Sequence, residues 1–387
     1  MKYFVRYGEI GVKSQKVRRK FEKKLMNNIK AGLDCEFIND NGRIILITQQ
    51  DDKQVQEVLN RVFGIVSYSP IYETTTDNEK IAQLINDTLS NLINQNKFNP
   101  ESQTFAVKCR RVGNHSFSSQ EMAAYVGSVV IELTNANVDL SNPNFTVYVE
   151  VRENKTYIYY EKIRTLGGMP VGSQGKVVCL ISSGIDSPVA AYQMLKRGCS
   201  VILLHCDNTP YGQKTLEKVK QNAKNLQKYS LGESIELYSI KYGRYLEEVI
   251  DKAPPRMTCV LCKSGMYQTA QLLAKKLKAN AIVDGSSIGQ VASQTLNNIE
   301  ASRYHTRMPI FSPLIRLDKL EIEAIAKKIG TYEVSIIPDG GCSAVPRYPE
   351  THADLKLTKN VIEEINQREI LDIVAESIEK IDIKEGE

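Results

Sequence analysis

The sequence predicts a multidomain α/β protein whose C-terminal part is a doubly wound parallel sheet. Three observations support this fold class. The chain has 387 residues, which is enough for two or three domains. A glycine-rich stretch at residues 167–175 indicates a linker. Beyond it, strand and helix patterns alternate, as they do in sheets of parallel strands. We therefore expect domains at residues 1–59, 60–165 and 166–387.

The composition is that of a chain with ordinary hydrophobic cores, since 42% of the residues are hydrophobic and 25% are charged. No apolar run approaches the roughly 18 residues of a membrane span, and the chain opens on a strand pattern rather than a signal peptide. We therefore expect a cytoplasmic protein with no membrane partner. In that compartment the eight cysteines are not expected to form structural disulfides.

The first domain has the βαββαβ order of a ferredoxin-like fold. Its predicted strands cover residues 2–7, 33–38, 42–48 and 65–70, with helices at 17–31 and 53–60 and a turn at Asn41-Gly42. A basic cluster lies on and before the first helix, where Glu22 is the one acidic residue between residues 13 and 30. The cluster begins with Lys13, Lys16, Arg18 and Arg19. It is either a contact surface for RNA phosphates or a solvated helix face.

The second domain contains a basic loop that suits RNA. Helices are predicted at residues 77–95 and 118–133, and strands at 104–109, 145–151 and 155–162. The loop between the strand at 104–109 and the helix at 118–133 contains Lys108, Arg110, Arg111, His115 and Phe117. Basic residues beside an aromatic ring suit phosphates and an unstacked nucleotide. A solvated loop is the alternative.

The third domain opens with the most informative segment, KVVCLISSGIDSPVA at residues 176–190. An apolar strand leads into a loop of serine and glycine residues and then into a helix. Such a loop presents backbone N–H groups and a helix N-terminus to an anion. No lysine follows Gly184, so this is not a Walker-type loop. We call residues 182–187 the serine loop; an ordinary turn between strand and helix is its alternative interpretation.

The remaining elements of the third domain follow the same rhythm. Strands are predicted at residues 200–206, 234–240 and 280–283, and helices at 188–197, 215–228, 264–278 and 318–329, with one or two more in 355–385. After the strand at 280–283, the segment DGSSIGQVASQT at residues 284–295 is expected to open another helix, with Gln290 and Gln294 as neighbours on its face. Gly285 would permit a close backbone approach there.

Together, the serine loop, the 284–295 segment, the basic loop and the glycine-rich linker resemble one family, the tRNA 4-thiouridine synthetases, also called tRNA sulfurtransferases or the ThiI family. The resemblance spans residues 1–350. It implies a ferredoxin-like domain, a THUMP domain that binds the tRNA acceptor end, and a PP-loop ATP pyrophosphatase domain. The serine loop resembles the SGGxDS pattern of ATP pyrophosphatases, with Ser183 where the second glycine stands. A left-handed backbone at Ser183 would cost about 1 kcal/mol.

The resemblance also implies a reaction. ATP adenylates O4 of uridine 8 in tRNA with release of pyrophosphate, and sulfur then displaces AMP to give 4-thiouridine. Mg²⁺ is the expected companion of ATP, and Asp186 would hold it or orient the triphosphate. The family positions that would contact ATP are Leu180, Ile181, Ser182, Ser183, Gly184, Asp186, Ser187, His205, Cys206, Lys263, Gly285 and Gln294. Lys263 stands where the family has arginine.

Sulfur handling is expected at Cys342, which matches the family cysteine and follows two glycines. No cysteine follows it, so the rhodanese-like domain of longer members is not expected here, and sulfide or a persulfide carrier would supply sulfur in trans. Cys259 and Cys262 form a CxxC pair. With Cys342 they are interpreted as ligands of an iron–sulfur cluster, as a disulfide or persulfide relay, as an incomplete zinc site or as inert thiols.

The sequence leaves two other functions open. In the first, the acceptor of sulfur is the C-terminus of a sulfur-carrier protein for thiamine synthesis, instead of tRNA or in addition to it. Alternatively, the chain is a tRNA-binding protein whose catalytic site has decayed. Asp186, Ser187, Gln294 and Cys342 occur together, which argues against decay. A homodimer is one arrangement that the resemblance allows.

Overall fold

The computed structural model describes residues 1–40 and 43–383. The first part of the chain forms β1 (Lys2–Tyr7), α1 (Gln15–Lys30), β2 (Glu36–Asp40), β3 (Arg43–Ile47), α2 (Asp52–Leu59), β4 (Ile65–Pro70), β5 (Tyr72–Thr75), α3 (Asn78–Asn94), β6 (Phe105–Val112), α4 (Ser119–Thr134), β7 (Phe145–Arg152), β8 (Lys155–Tyr159) and β9 (Ile163–Arg164). The predicted turn at Asn41-Gly42 lies outside the described residues.

The second part of the chain alternates strands and helices. It forms β10 (Lys176–Ile181), α5 (Asp186–Lys196), β11 (Ser200–Asp207), α6 (Leu216–Gln227), β12 (Glu236–Lys241), α7 (Gly243–Lys252), α8 (Thr258–Lys276), β13 (Ala281–Val283), α9 (Leu296–Arg303), β14 (Ile310–Phe311), α10 (Lys319–Ile329), α11 (Tyr332–Ser335), α12 (Leu355–Glu364), α13 (Gln367–Ala375) and β15 (Glu379–Ile381). Each helix along the described ranges is too short or too polar to cross a bilayer.

The chain divides into two compact units. The first contains Met1–Gly8, Leu33–Asn60 and Ile65–Thr165. It carries an antiparallel sheet in the order β2-β3-β1-β4-β9 and a second sheet in the order β5-β8-β7-β6, in which β6 and β7 are parallel. A buried cluster of Phe4, Ile45, Tyr157 and Tyr159 contains side chains from both sheets. The ferredoxin-like sheet and the α/β sheet expected after it are thus both present.

The second unit contains Glu9–Gly32, Arg61–Gly64 and Leu166–Glu387. Its sheet runs β14-β13-β10-β11-β12-β15, with parallel pairing throughout except for β15, which is antiparallel to β12. Alternate residues of β10 point to opposite faces, so Cys179 joins a core with α5, α6 and α10, whereas Val178 joins a core with α7, α8 and α13. Helices therefore cover both faces, which is the predicted doubly wound arrangement.

Helix α1 belongs to the second unit. The Asn28 amide donates to the carbonyl of Val171 at 3.0 Å, and Lys24 forms an ion pair with Glu233. The sequence pattern placed this helix in the first domain, residues 1–59, because neighbouring elements of a βαββαβ unit usually pack together. Those domain boundaries stay a prediction.

One further expectation about the elements was wrong. The helix predicted from residue 264 begins at Thr258, so Cys259 and Cys262 lie in its first two turns. The one or two helices expected in residues 355–385 are present as α12 and α13, and β15 follows them and pairs with β12.

Candidate functional site

A cavity of about 400 Å³ opens at the carboxyl ends of β10, β11 and β13. Open parallel sheets bind their ligands at this edge. The cavity is lined by Leu180, Ile181, Ser182, Ser183, Asp186, Ser187, Leu204, His205, Cys206, Asn208, Gly212, Gln213, Thr215, Lys263, Met266, Asp284, Gly285, Ser286, Gln294, Asp339, Gly341 and Cys342. It thus brings together the predicted nucleotide residues, apart from Gly184, and the predicted sulfur-handling cysteine.

The serine loop is held by hydrogen bonds among its own side chains. Ser187 Oγ accepts a hydrogen bond from the Ser182 backbone N–H at 2.8 Å and lies 3.0 Å from Ser182 Oγ. The N–H of Gly184 donates to Ser182 Oγ at 3.3 Å. Helix α5 begins at Asp186, so the positive end of its dipole lies at the cavity. This loop can therefore receive an anion.

Ser183 is accommodated without the backbone strain considered above. The left-handed φ angles among the described non-glycine residues occur at five positions, and Ser183 is not one of them. Its hydroxyl instead donates to Asp339 Oδ2 at 2.6 Å. The serine therefore has a partner on a distant segment that glycine at this position could not have.

Asp186 lies between a cation and an amide. Its Oδ1 accepts from Lys319 Nζ at 2.9 Å, and its Oδ2 accepts from Gln290 Nε2 at 2.9 Å. The sequence analysis missed Lys319, because 133 residues separate it from Asp186 and only the fold brings α10 to the loop. The expectation that Gln290 and Gln294 share a helix face was wrong. Gln290 lies in a turn, and Gln294 ends a short 3₁₀ helix.

Gly285 is required by a close approach of two backbones. A Cβ atom at this position would lie 3.1 Å from the carbonyl carbon of Asp186 and from the backbone nitrogen of Ser187. These contacts are tighter than side chains normally make, and the neighbouring atoms belong to backbone that cannot easily move. Glycine therefore lets the end of β13 pack directly on the serine loop.

A buried charge network lies beneath the cavity. Burial alone would raise the pKa of Asp284, but Lys263, the hydroxyls of Ser312 and Tyr267, and Arg303 together hold that pKa below its usual value. Arg303 approaches Asp284 Oδ2 at 3.2 Å. Lys263 donates to Ser286 Oγ at 2.8 Å, and Ser286 Oγ in turn donates to Asp284 at 2.7 Å.

Lys263 lines the cavity, and its ammonium group is held by this network through Ser286. Burial lowers its pKa, and the nearby carboxylate of Asp284 opposes that effect. A cation is thus kept at the cavity wall although most of its side chain is out of water. The sequence pattern identified Lys263 and the segment that begins with Asp284, but it indicated no role for Asp284 or Arg303, since no local pattern marks a buried ion pair.

His205 is a structural member of the wall. It is buried, and burial lowers the pKa of its imidazole. One ring nitrogen lies 3.2 Å from the carbonyl oxygen of Ile181, and the other lies 3.3 Å from the Thr215 hydroxyl. The ring therefore connects the ends of β10 and β11 rather than presenting a free nitrogen to a ligand.

Three predicted sulfur residues lie in one neighbourhood. Burial raises the pKa of Cys259, and the Cys342 thiol raises it further. Burial also raises the pKa of Cys262 strongly, with further contributions from Cys206, Cys259 and Cys342. All eight thiols are free of disulfides. Cys342 is half-buried at the cavity wall, and Cys259 and Cys262 lie on α8 and are not among the residues that line the cavity.

The donor chemistry of these cysteines limits which metal they suit. Within residues 1–40 and 43–383, no three His, Cys, Asp or Glu side chains are gathered as ligands of a single metal ion. A zinc ion needs every thiolate about 2.3 Å away. An iron–sulfur cluster spreads its thiolates over several irons and takes soft sulfur ligands. Of the two metal interpretations, the three cysteines fit the cluster better than zinc.

The predicted RNA residues of the first unit form two groups. Strand β6 extends to Val112, so Lys108, Arg110 and Arg111 lie on a strand and not on the loop that the sequence indicated. Because side chains alternate along a strand, Arg111 faces away from the other two. It donates to the carbonyl of His115, whose ring stacks on Phe117 with centroids 5.4 Å apart.

Lys108 and Arg110 line a second cavity, of about 490 Å³, within the first unit. Its wall also contains Arg6, Arg43, Lys162, Tyr148 and Tyr159, which the sequence analysis missed. The two tyrosine rings stack with centroids 4.9 Å apart, and Lys162 Nζ lies 3.9 Å above the Tyr148 ring. Burial, Arg6, Lys108 and Arg43 lower the pKa of Lys162. Crowded cations beside aromatic faces suit a polyanion with bases.

The basic cluster of Lys13, Lys16, Arg18 and Arg19 lies in the second unit, on and just before α1. Arg18 donates to Glu22 at 2.9 Å. The cluster therefore belongs to the same unit as the 400 Å³ cavity, whereas Lys108 and Arg110 belong to the other.

Comparison with known proteins gives three family matches. Residues 172–367 match the family described as thiamine biosynthesis protein (ThiI), residues 83–161 match the THUMP domain, and residues 2–69 match the ThiI ferredoxin-like domain. Relatives named "Probable tRNA sulfurtransferase" include one from Methanobrevibacter smithii, 53% identical over 97% of this chain and 98% of its own length. Another, from Methanothermobacter thermautotrophicus, is 48% identical over 94% of this chain and 93% of its own length.

Solved structures are similar over the same span. A 4-thiouridine synthetase in complex with RNA and ATP aligns with a TM-score of 0.89 and 29% identity, covering 98% of this chain and 99% of the other. PH1313 from Pyrococcus horikoshii aligns with a TM-score of 0.67 and 29% identity, covering 85% of this chain and 99% of its own. The predicted fold class is confirmed by these matches.

The buried Asp284 network leads to a stability prediction. Asp284→Asn leaves Lys263 and Arg303 buried without their carboxylate, so the free energy of unfolding at pH 7 should fall by about 3 kcal/mol. Because the pKa of Asp284 is lowered on folding, its contribution is complete above the unfolded pKa of about 3.9 and is lost as the pH falls further. The difference in the free energy of unfolding between variant and wild type should therefore become smaller between pH 4 and pH 3.

Urea unfolding at each pH measures this difference. The matched control is Glu217→Gln, which neutralises an exposed partner of Lys220 on α6 and should change the free energy of unfolding by less than about 0.5 kcal/mol. Equal effects of the two substitutions at pH 7 would contradict the role given to the network.

Proposed function

The chain belongs to the family described as thiamine biosynthesis protein (ThiI), and from that premise we propose that this tRNA sulfurtransferase uses ATP to adenylate uridine 8 of tRNA and then exchanges O4 for sulfur. The products are 4-thiouridine, pyrophosphate and AMP. Two similarities support the substrates. The relatives carry the name tRNA sulfurtransferase, and the similar 4-thiouridine synthetase was solved with RNA and ATP.

One observation carries the proposal: a single cavity is lined by an anion-binding loop, a buried cation and a half-buried thiol. Ser182 and Ser187 belong to the loop, Lys263 is the cation, and Cys342 carries the thiol. A nucleotide site alone would need no thiol, and a decayed site would have no physical reason to keep all three together. The arrangement therefore favours an enzyme that joins nucleotide chemistry to sulfur chemistry.

The first step forms one bond and breaks one. O4 of uridine attacks the α-phosphorus of ATP, and the bond from that phosphorus to the β-phosphate oxygen breaks, so pyrophosphate leaves. The serine loop and the N-terminus of α5 bind the phosphates. Lys263 and Lys319 stand beside them, where positive charge stabilises the charge that develops on the departing pyrophosphate. The protein acts mainly by positioning and charge.

Asp186 is the residue that would hold Mg²⁺. Carboxylate oxygen is a ligand that Mg²⁺ accepts, usually together with substrate phosphates. When bound, the ion neutralises charge on the triphosphate. In the structure both Asp186 oxygens have protein partners, Lys319 and Gln290. These partners fix the direction of the carboxylate, and an incoming ion would replace one of them.

The second step replaces oxygen by sulfur. A sulfur nucleophile at the level of hydrosulfide adds to C4, the C4–O bond breaks, and AMP leaves with the former O4 oxygen. The hydrosulfide proton passes to solvent. A sulfur donor acting in trans supplies this nucleophile. Cys342 lines the same cavity as the predicted nucleotide residues, on a loop that also contains Asp339.

We propose that Cys259, Cys262 and Cys342 hold an iron–sulfur cluster, which would supply an open iron for incoming sulfide. The alternative is a relay, in which a persulfide carrier passes its outer sulfur to Cys342. Cys259 or Cys262 then attacks Sγ of Cys342, the S–S bond of the persulfide breaks and hydrosulfide leaves, and a dithiol reductant reopens the resulting disulfide. The neighbourhood of the three thiols supports either route. The free state of all eight thiols also supports a reducing compartment, the cytoplasm.

The cavity of the first unit supports tRNA as the acceptor of sulfur. A sulfur-carrier protein ends in a flexible carboxylate tail, which would use one or two cations. Five cationic side chains and two stacked tyrosines line that cavity instead. Arg43 is paired with Glu150 in the same wall, and the other four cations with the tyrosine rings suit a phosphate chain with bases. A sulfur-carrier protein is the second candidate acceptor, and an assay of ATP-dependent sulfur transfer to that protein tests it.

The RNA surface gives a prediction on binding. Replacing Lys108 and Arg110 together with alanine removes two phosphate contacts, so tRNA affinity should fall about 10-fold at 0.1 M salt, and the slope of log K against log salt should become shallower by about 1 to 2. Fluorescence anisotropy with unmodified tRNA measures both. Lys80→Ala with Lys97→Ala is the control, because these exposed lysines of the same unit do not line the cavity. An unchanged slope in the first variant would contradict the assignment.

The division of labour in the site gives a prediction on catalysis. Cys342→Ser should lower thiouridine formation by roughly 100-fold or more while tRNA-dependent pyrophosphate release continues, because the cysteine acts after adenylation. Both products are measured in the same single-turnover reaction with sulfide. Cys199→Ala, which removes a buried thiol away from the cavity, should leave both rates near those of the wild type. Parallel loss of pyrophosphate release would contradict the proposed order of steps.

The proposed iron–sulfur cluster is tested by iron content and absorbance. Protein purified anaerobically should contain iron and acid-labile sulfide and absorb at about 400 nm, and Cys259→Ser should lose the iron. The iron measurement does not depend on activity. An iron-free preparation that forms thiouridine at the full rate would exclude the cluster and favour the relay.

A further inference from the structure

The segment that carries Cys342 is tied to the serine loop by one acidic side chain. We call residues 339–343 the cysteine loop. Asp339 Oδ2 accepts from Ser183 Oγ at 2.6 Å and from Lys218 Nζ at 3.0 Å. Both contacts occur at the wall of the 400 Å³ cavity, where Ser183, Asp339 and Cys342 are all lining residues. We call these two contacts the Asp339 link.

The cysteine loop needs such a link because its backbone is permissive. Gly340 and Gly341 both have left-handed φ angles, of 71° and 68°. Two glycines in succession leave the chain many conformations. On its far side the loop is held by Ser343, whose N–H donates to the carbonyl of Tyr211 at 2.7 Å. The Asp339 link therefore holds the near side, and the two attachments together fix where Cys342 stands.

Lys218 makes the link rigid. Its ammonium group also donates to the carbonyl of Ile337 at 2.6 Å and approaches the carbonyl of Ser335 at 3.4 Å. The lysine is thus bound to two carbonyls on the segment that leads into the cysteine loop and to Asp339 within that loop. The hydrogen bond from Ser183, with Lys218 nearby, lowers the pKa of Asp339, so the carboxylate is charged at neutral pH and both contacts are charge-assisted.

A second contact joins the same two segments. Ser335 Oγ donates to the carbonyl of Gly184 in the serine loop at 3.3 Å, and Asn222 of α6 donates to Ser335 Oγ at 3.2 Å. The serine loop is therefore bound to residues before and within the cysteine loop. A shift of one loop must move the other or break these bonds.

We propose that Asp339, held by Lys218, is a positioning residue that sets Cys342 against the serine loop through Ser183, so that sulfur chemistry takes place where the nucleotide loop has placed the activated uridine. The inference rests on the proposed function. It also gives a role to Ser183, which stands where the related loop pattern has glycine. Glycine has no hydroxyl, so the link belongs to this chain's own sequence.

The test compares how much sulfur transfer follows each adenylation. Asp339→Ala and Ser183→Gly should each lower the number of thiouridines formed per pyrophosphate released by about 10-fold, since a displaced reacting group loses rate steeply. Lys218→Met should act in the same direction. Asp339→Asn retains an acceptor for Ser183 and should restore an intermediate ratio. Lys220→Ala, which breaks an exposed ion pair on the same helix, is the control and should match the wild type.

A second measurement does not need activity. Alkylation of Cys342 by iodoacetamide is measured by peptide mass spectrometry on iron-free protein, in which the thiol is unligated. It should be about 10-fold faster in Asp339→Ala and in Ser183→Gly, because the loop is released on its near side. Thermal melting curves similar to the wild type would establish that these variants are folded.

The outcomes separate the inference from the proposed function. Unchanged alkylation rates in both variants, or an equal fall of pyrophosphate release and thiouridine formation, would overturn the inference and leave the proposed function standing. A wild-type protein that forms no thiouridine would overturn the proposed function, and the alkylation rates would still decide whether the Asp339 link positions Cys342.

Discussion

The site depends on the direct packing of the end of β13 against the serine loop. Gly285 lies so close to the backbone of Asp186 and Ser187 that a single Cβ atom would press on both. Because these contacts are between backbones, they fix the height and direction of the loop more firmly than side-chain contacts would. Asp186 then meets Lys319 and Gln290, and Ser183 meets Asp339. Much of the cavity wall takes its geometry from that one approach.

The buried charges explain how cations can stand in a partly dry cavity. Lys263 is costly to bury, and Asp284 offsets that cost while Arg303, Tyr267 and Ser312 satisfy the remaining oxygen positions. The network is therefore a support for one ammonium group rather than a general source of stability, since buried ion pairs often gain little over apolar packing. The positive charge of Lys263 at the cavity wall therefore depends on the buried network around Asp284.

The sequence predicted what is encoded locally and missed what the fold brings together. The serine loop, its strand and its helix are adjacent in the chain, so residue types and spacing identified their chemistry. Lys319 lies 133 residues from Asp186, and Asp339 lies 156 residues from Ser183. No spacing rule connects such pairs. Arg6 and Lys162 escaped notice for the same reason, because Arg6 on β1 and Lys162 just before β9 come close to Lys108 only in the folded unit.

Ser183 shows why a departure from a pattern has to be judged in three dimensions. From the sequence alone, serine in place of glycine suggested strain or decay of the loop. In the fold the backbone at this position needs no left-handed angle, so glycine is not required and the position is free to carry a side chain. The Ser183 hydroxyl then reaches the carboxylate of Asp339, which belongs to the cysteine loop. A substitution that weakens the match to a motif can thus add a contact between the two loops of the site. Whether such a substitution damages the loop or adds a contact depends on the partner that the new side chain finds in the fold.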